Sequence, residues 1–204
     1  MTRIYLVRHG QTQWNVEKRF QGRGNSPLTK KGLDEIEFLK KKMKQVPLTA
    51  AYSSPRERAY QTASIIAEPH GIQVEKRESF GEIDLGRWEG KTLRAIKRQD
   101  PGLYHAFFYQ PDKFAPEEGH ESMEAVQNRS YAALREIADR HEGERVLVVS
   151  HAITLRLLLL ILENRPISDL WKVAEVKQTS VTEIAIDGNS IHILRKADIS
   201  HLSE

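Results

Sequence analysis

The sequence predicts an α/β fold: a three-layer α/β/α sandwich on a mostly parallel sheet, with one antiparallel edge strand and a small lid insertion. Three observations predict it. Short runs of Val, Ile and Leu alternate with longer amphipathic segments, the order that builds parallel sheets covered on both faces. Two of these runs end in a histidine, Arg8-His9 and Ser150-His151, at the point where open α/β sheets hold their ligands. The last two runs flank Asp187-Gly188-Asn189, a hairpin turn that returns the chain antiparallel at one edge.

Each element follows from its local pattern. Ile4–Val7 is a short, buried strand that stops at Gly10. Leu33, Ile36, Leu39 and Met43 recur at helical spacing and predict a helix over 29–45, with Lys40, Lys41, Lys42 and Lys44 on its solvated face. A strand over 50–53 leads into a helix over about 55–68. There Ser54 reads as the N-cap, Pro55 as the first helical residue and Glu57 as the partner in a capping box, which places Arg58 in the first turn. A strand near 72–76 and an irregular stretch follow. The pattern resumes with a helix over 122–140, the β-branched strand 146–149, a helix over 153–163, and strands 181–186 and 190–195.

The chain has 204 residues and 39% hydrophobic content, enough for one domain over 1–204 that needs no staple. It contains no cysteine, which excludes disulfides, thiolate metal sites and cysteine nucleophiles and fits the cytoplasm. The chain enters its first strand without a basic and apolar leader, so no cleaved signal is expected. The longest apolar run, Leu157–Leu162, is six residues and cannot span a bilayer. The net charge of +3 comes from 31 basic and 28 acidic residues spread along the chain, so neither nucleic acid nor membrane is an expected partner. Residues 100–120 gather Tyr104, Phe107, Phe108, Tyr109 and Phe114 among prolines and glycines, and read equally as a lid or as a satellite core under a long loop.

The chemistry concentrates at the strand ends. A guanidinium can grip phosphate with paired hydrogen bonds, and a neutral imidazole held through one nitrogen leaves the other free to attack phosphorus; Arg8 and His9 supply both groups. Arg58 at a helix N-terminus adds a fixed cation where anions already bind. His151 follows a second buried strand. The other six histidines fall in turns, helix ends or the hairpin and read as solvated. A departing alkoxide needs a proton, and Glu82, set between apolar neighbours in a glycine-rich stretch, is the chosen donor, with Asp84 and Glu89 as rivals that sequence does not separate. No metal site is expected, since neither zinc-helix spacing nor an acidic cluster is present. Dinucleotide, P-loop and serine-hydrolase motifs are also missing: Gly22-Arg23-Gly24 lacks its third glycine, and no Gly-Lys-Ser/Thr loop or Gly-x-Ser-x-Gly elbow occurs.

Taken together, Leu6-Val7-Arg8-His9-Gly10-Gln11-Thr12, Gln21-Gly22 with Ser26-Pro27-Leu28-Thr29, Ser53-Ser54-Pro55-Arg56-Glu57-Arg58 running on to Ala63, Glu82 and Val149-Ser150-His151 strongly resemble the histidine phosphatase superfamily. That family holds cofactor-dependent phosphoglycerate mutases and their phosphatase relatives. The resemblance implies that His9 is the nucleophile and forms a phosphohistidine. It implies that Arg8, Arg58 and His151 surround the phosphoryl oxygens, that Asn15, Gln21 and Gly22 complete the pocket, and that Glu82 protonates the leaving group and then activates water. Ala152 stands among the substrate contacts where glycine commonly follows the second histidine, and Gln11 replaces a frequent glutamate. No metal or other cofactor is implied.

The expected function is metal-independent hydrolysis of phosphomonoesters, with small phosphorylated metabolites as substrates and broad specificity. Lys113 is the only fixed cation within 100–120, against five aromatics, which suits apolar or varied esters better than a phosphoglycerate carboxylate. A phosphoglycerate mutase is the runner-up. A sugar-bisphosphate or alpha-ribazole phosphate phosphatase, and a phospho-ligand-binding module without turnover, stand as further alternatives.

Overall fold

The computed structural model describes residues 1–114 and 121–202. In chain order the elements are β1 (Thr2–Arg8), α1 (Gln13–Val16), α2 (Lys30–Met43), β2 (Ala50–Ser53), α3 (Glu57–Ala67), β3 (Val74–Lys76), α4 (Leu93–Gln99), α5 (Pro101–Tyr109), α6 (Met123–Arg140), β4 (Arg145–Ser150), α7 (Ala152–Leu162), β5 (Val181–Asp187) and β6 (Ser190–Asp198). The strands form one sheet in the order β3-β2-β4-β1-β5-β6. β1, β2, β3 and β4 pair in parallel, while β5 runs antiparallel to β1 and is joined to β6 by the expected hairpin.

Side-chain alternation divides the core. Ile4, Leu6, Val146, Val148 and Ile184 face α6 and α7, while Tyr5, Val7, Leu147, Val149 and Val181 face α2 and α3. Helices therefore cover both faces. A third apolar cluster joins Ile83, Trp88, Ile96, Phe107, Phe114 and Ile153 above the C-terminal ends of the parallel strands.

Register positions the site. Arg8 pairs with Ser150 and Ser53 with Val149, so the three strand ends lie side by side. The ladder continues one step further, with the His9 amide donating to Ser150 O at 3.0 Å and the Ser54 amide to Val149 O at 3.0 Å. His9, Ser54 and His151 thus stand along one sheet edge.

Three expectations are corrected. The capping box at Ser54 and Glu57 does not form: α3 starts at Glu57 with Arg56 as its N-cap, because Ser54 is drawn into the sheet ladder and its hydroxyl accepts only from the Arg56 amide, at 3.3 Å. Arg58 remains in the first turn. The stretch after 76 is largely helical, containing α4 and α5, where helix breakers masked two short helices. His201 is buried and bonded to Thr179, and His141 sits between Tyr52 and Glu144, so neither is solvated. Residues 115–120 of the expected lid lie outside the described residues; of the rest, Phe107 and Phe114 are core and Phe108 lines a cavity.

Candidate active site

β1 delivers Arg8 and His9 to the floor of a cavity of about 260 Å³. The His9 ring is buried, and its Nδ1 lies 2.7 Å from Gly10 O. A carbonyl can only accept, so Nδ1 carries the proton and Nε2 keeps its lone pair toward the cavity. Burial, followed by the nearby charges of Arg58 and Arg8, holds the imidazole well below its ordinary value of 6.5, so it is neutral at pH 7. The peptide turns away tightly. A methyl group on Gly32 of α2 would stand 2.2 Å from Gln11 O, so glycine is required where the nucleophile loop presses on that helix.

Two guanidiniums border the same cavity. Arg58 donates to Gly22 O at 2.8 Å and Gly24 O at 2.6 Å, and Arg8 donates to Val176 O at 2.8 Å. Burial pushes both down to about 10, partly offset by Glu82, and both stay charged at neutral pH. α3 ties this cation to the nucleophile: Thr62 donates to Arg58 O at 2.7 Å and accepts from the Gly10 amide at 3.1 Å.

His151 packs against His9, ring centroids 5.2 Å apart; it is fully buried and is not among the residues that line the cavity. Burial, then Arg58 and His9, keeps it neutral as well. Both of its ring nitrogens are buried without a hydrogen-bond partner, as are Nε of Arg8 and Nε of Arg58. A buried donor left unpaired costs about 1–3 kcal/mol, so the Nε–H groups of Arg8 and Arg58, two residues that border the cavity, have capacity for an acceptor oxygen.

Glu82 reaches the cavity from the loop after β3. Its Oε1 accepts from the Ile83 amide at 3.1 Å, the Thr154 amide at 3.2 Å and the Thr154 hydroxyl at 3.1 Å, while Oε2 accepts only from the Ile153 amide at 3.2 Å. The carboxylate thus caps the N-terminus of α7, whose own N-cap, His151, makes no side-chain cap. Oε1 is saturated, so Oε2 is the oxygen with capacity for a proton. The rivals are occupied elsewhere. Glu89 accepts from the amides of Arg23 at 2.7 Å and Gly24 at 2.9 Å, Asp84 pairs with Arg23 at 3.2 Å, and neither borders the cavity.

Asn15, Gln21, Gly22 and Ala152, which the resemblance offers as substrate contacts, all line the cavity. Asn15 Oδ1 is committed to the Thr12 cap of α1, which leaves its amide nitrogen for a ligand. Gly22 holds φ +52, and a methyl there would overlap Glu89 Oε1 at 2.1 Å. The mouth holds residues that the sequence did not single out for the site: Arg19, Phe20, Leu93 and Trp171. Trp171 stacks on Phe108 at 5.3 Å and donates to Phe107 O at 2.7 Å. An aromatic in a turn reads like any loop anchor, so no sequence signal marks it as a cavity wall.

Among the described residues Glu82 is the one carboxylate on the cavity, and no helix is long and apolar enough to cross a membrane. Residues 4–199 match the family model described as the Histidine phosphatase superfamily (branch 1). Phosphoserine phosphatase 1 of Hydrogenobacter thermophilus is 30% identical over 204 residues, covering 100% of this chain and 96% of the relative. Phosphoglycerate mutase-like protein 4 of Arabidopsis thaliana is 32% identical, with 98% of this chain and 87% of the relative covered. Among solved structures, YhfR of Bacillus stearothermophilus superposes with a TM-score of 0.96 at 40% identity, covering 99% of this chain and 100% of the other. The chain belongs to the histidine phosphatase superfamily, within which it is a phosphatase enzyme.

Proposed function

We propose that this chain hydrolyses phosphomonoesters without a metal ion, through a phosphohistidine on His9, and accepts a range of small phosphorylated metabolites. The observation that carries the reading is the neutral His9, protonated on Nδ1 by its bond to Gly10 O, beside two charged arginines. In the first step His9 Nε2 attacks phosphorus, the bond to the ester oxygen breaks, and Glu82 gives its proton to the departing alkoxide. In the second, Glu82 takes a proton from water, whose oxygen attacks phosphorus. The P–N bond breaks, and Nε2 recovers its lone pair. Arg8 and Arg58 supply the preorganised positive charge that phosphoryl transfer needs, with neutral His151 packed against the nucleophile.

Broad specificity is supported by the mouth. Phe20, Leu93, Phe108 and Trp171 are apolar, and the Arg19 guanidinium is already engaged by Glu17 at 2.6 Å and Gly90 O at 2.7 Å. Such a rim bears on the leaving group by shape and apolar contact rather than by charge. The test is phosphate release from p-nitrophenyl phosphate and 3-phosphoglycerate in EDTA, native chain against His9→Ala. Chelator-resistant release that disappears in the variant is expected. Conversion of 3-phosphoglycerate to its 2-isomer without phosphate release would instead establish a mutase.

A further inference from the structure

Arg129, on α6, does not border the phosphate cavity, yet it holds the loop that carries Glu82 more densely than any residue around it. Its Nη1 donates to Ser79 O at 2.6 Å and to Glu78 O at 3.4 Å; its Nη2 donates to Gly81 O at 3.0 Å and to Glu82 O at 3.4 Å. Nε and Nη2 pair with the two oxygens of Glu121 at 2.5 and 2.9 Å, which fixes the plane of the guanidinium. Four carbonyls from five consecutive residues converge on one cation only because the chain curls around it. Arginine has the planar fork to meet them; a lysine ammonium cannot reach them together.

The need for such a tether is visible in the surroundings. Residues 78–82 belong to no strand. Glu82 also borders a second cavity of about 250 Å³, together with Arg23, Arg56, Glu121 and Arg129. Where the acid loop meets this cavity it is bordered by open space, while Phe80 anchors it in the core. A displacement of about 1 Å at a reacting group costs on the order of a hundredfold in rate. We propose that Arg129, oriented by Glu121, is a positioning residue that sets the place of the Glu82 carboxyl group by gripping its backbone. This inference rests on the reading of Glu82 as the proton donor.

The experiment compares Arg129→Met, Arg129→Lys and Glu121→Gln with the native chain on p-nitrophenyl phosphate, whose leaving group departs without help, and on glycerol 3-phosphate, whose alkoxide needs a proton. Arg129→Met is expected to lower kcat/KM on glycerol 3-phosphate by about tenfold or more while changing kcat/KM on p-nitrophenyl phosphate by less than about threefold, since kcat/KM ends at departure of the leaving group and excludes the hydrolysis that both esters share. Competitive inhibition by inorganic phosphate should hold, because Arg8 and Arg58 are untouched. Arg129→Lys should fall between, and adding Arg129→Met to Glu82→Gln should cost little further. Equal losses on the two esters, or none in a folded variant, would overturn the proposal. If Arg129→Met fails to fold, the other two variants are judged by the same ratio. A native chain with no His9-dependent release would remove the phosphatase reading and this inference together; native turnover with an unchanged ester ratio removes this inference alone.

Discussion

Thr154 meets Glu82 through both its amide, 3.2 Å from Oε1, and its hydroxyl, 3.1 Å from the same oxygen, while that hydroxyl also lies 2.8 Å from Gly81 O. One hydroxyl proton serves two acceptors. With Glu82 ionised the proton can turn to Oε1, and with Glu82 protonated it can stay on Gly81 O, so the same contact suits both halves of a two-step reaction. Thr154→Val keeps the shape and removes the hydroxyl. Its expected effect is a fall in kcat of about tenfold, the worth of one hydrogen bond to a charged group. Steady-state kinetics on an alkyl phosphate measures it, and an unchanged kcat would show that the amides alone place the carboxylate.

Glu82→Gln keeps one acceptor oxygen for the amides of Ile83 and Thr154, loses the acceptor facing the Ile153 amide, and has no acidic proton to give. The kcat/KM for alkyl phosphates, which ends at departure of the leaving group, should fall by about 10²–10⁴-fold, and that for p-nitrophenyl phosphate far less. Parallel losses would mean that another group protonates the leaving oxygen.

Stability should depend on pH through the two buried histidines. Unfolded imidazoles take up protons near 6.5, whereas burial keeps those of His9 and His151 well below that value. Protonation as the pH falls through 6.5 therefore favours the unfolded chain. Stability is fully present above about 6.5 and declines below it, by up to about 1.4 kcal/mol per pH unit for each histidine. Thermal unfolding between pH 7.5 and 5 reads the slope. His151→Gln should flatten it, and a midpoint that rises on acidification would contradict the neutral assignment.

Gly32→Ala should destabilise the nucleophile loop, because its new methyl would meet the Gln11 backbone at 2.2 Å, where no side chain can move aside. Overpacking of this kind costs about 1–3 kcal/mol. The loss should appear in both the unfolding midpoint and kcat, since the strained segment adjoins His9. A neutral substitution would show that α2 can shift away.

Much of this was legible before the fold. Buried parallel strands have a strong signature, and β1 and β4 announce Arg8, His9 and His151 because a histidine directly after an apolar run is unusual. Glu82 was legible as a candidate but not as a choice. What separates it from Asp84 and Glu89 is which backbone amides each carboxylate meets, and that depends on how the loop folds over α7. Ser54 misled for a similar reason: local capping chemistry lost to the sheet ladder that claims its amide. The cavity mouth was least legible. Trp171 and Phe108 are distant in sequence, and only tertiary stacking brings them together.

The central claim is that His9 carries the phosphoryl group, and rapid acid-free quenching of the native chain with p-nitrophenyl phosphate, followed by peptide mass mapping, tests it most directly. The account predicts one added phosphoryl group on the peptide containing His9, labile to acid and stable to alkali, and none in His9→Ala. Turnover with no phosphorylated His9 peptide, or an acid-stable phosphate on another residue, would contradict it.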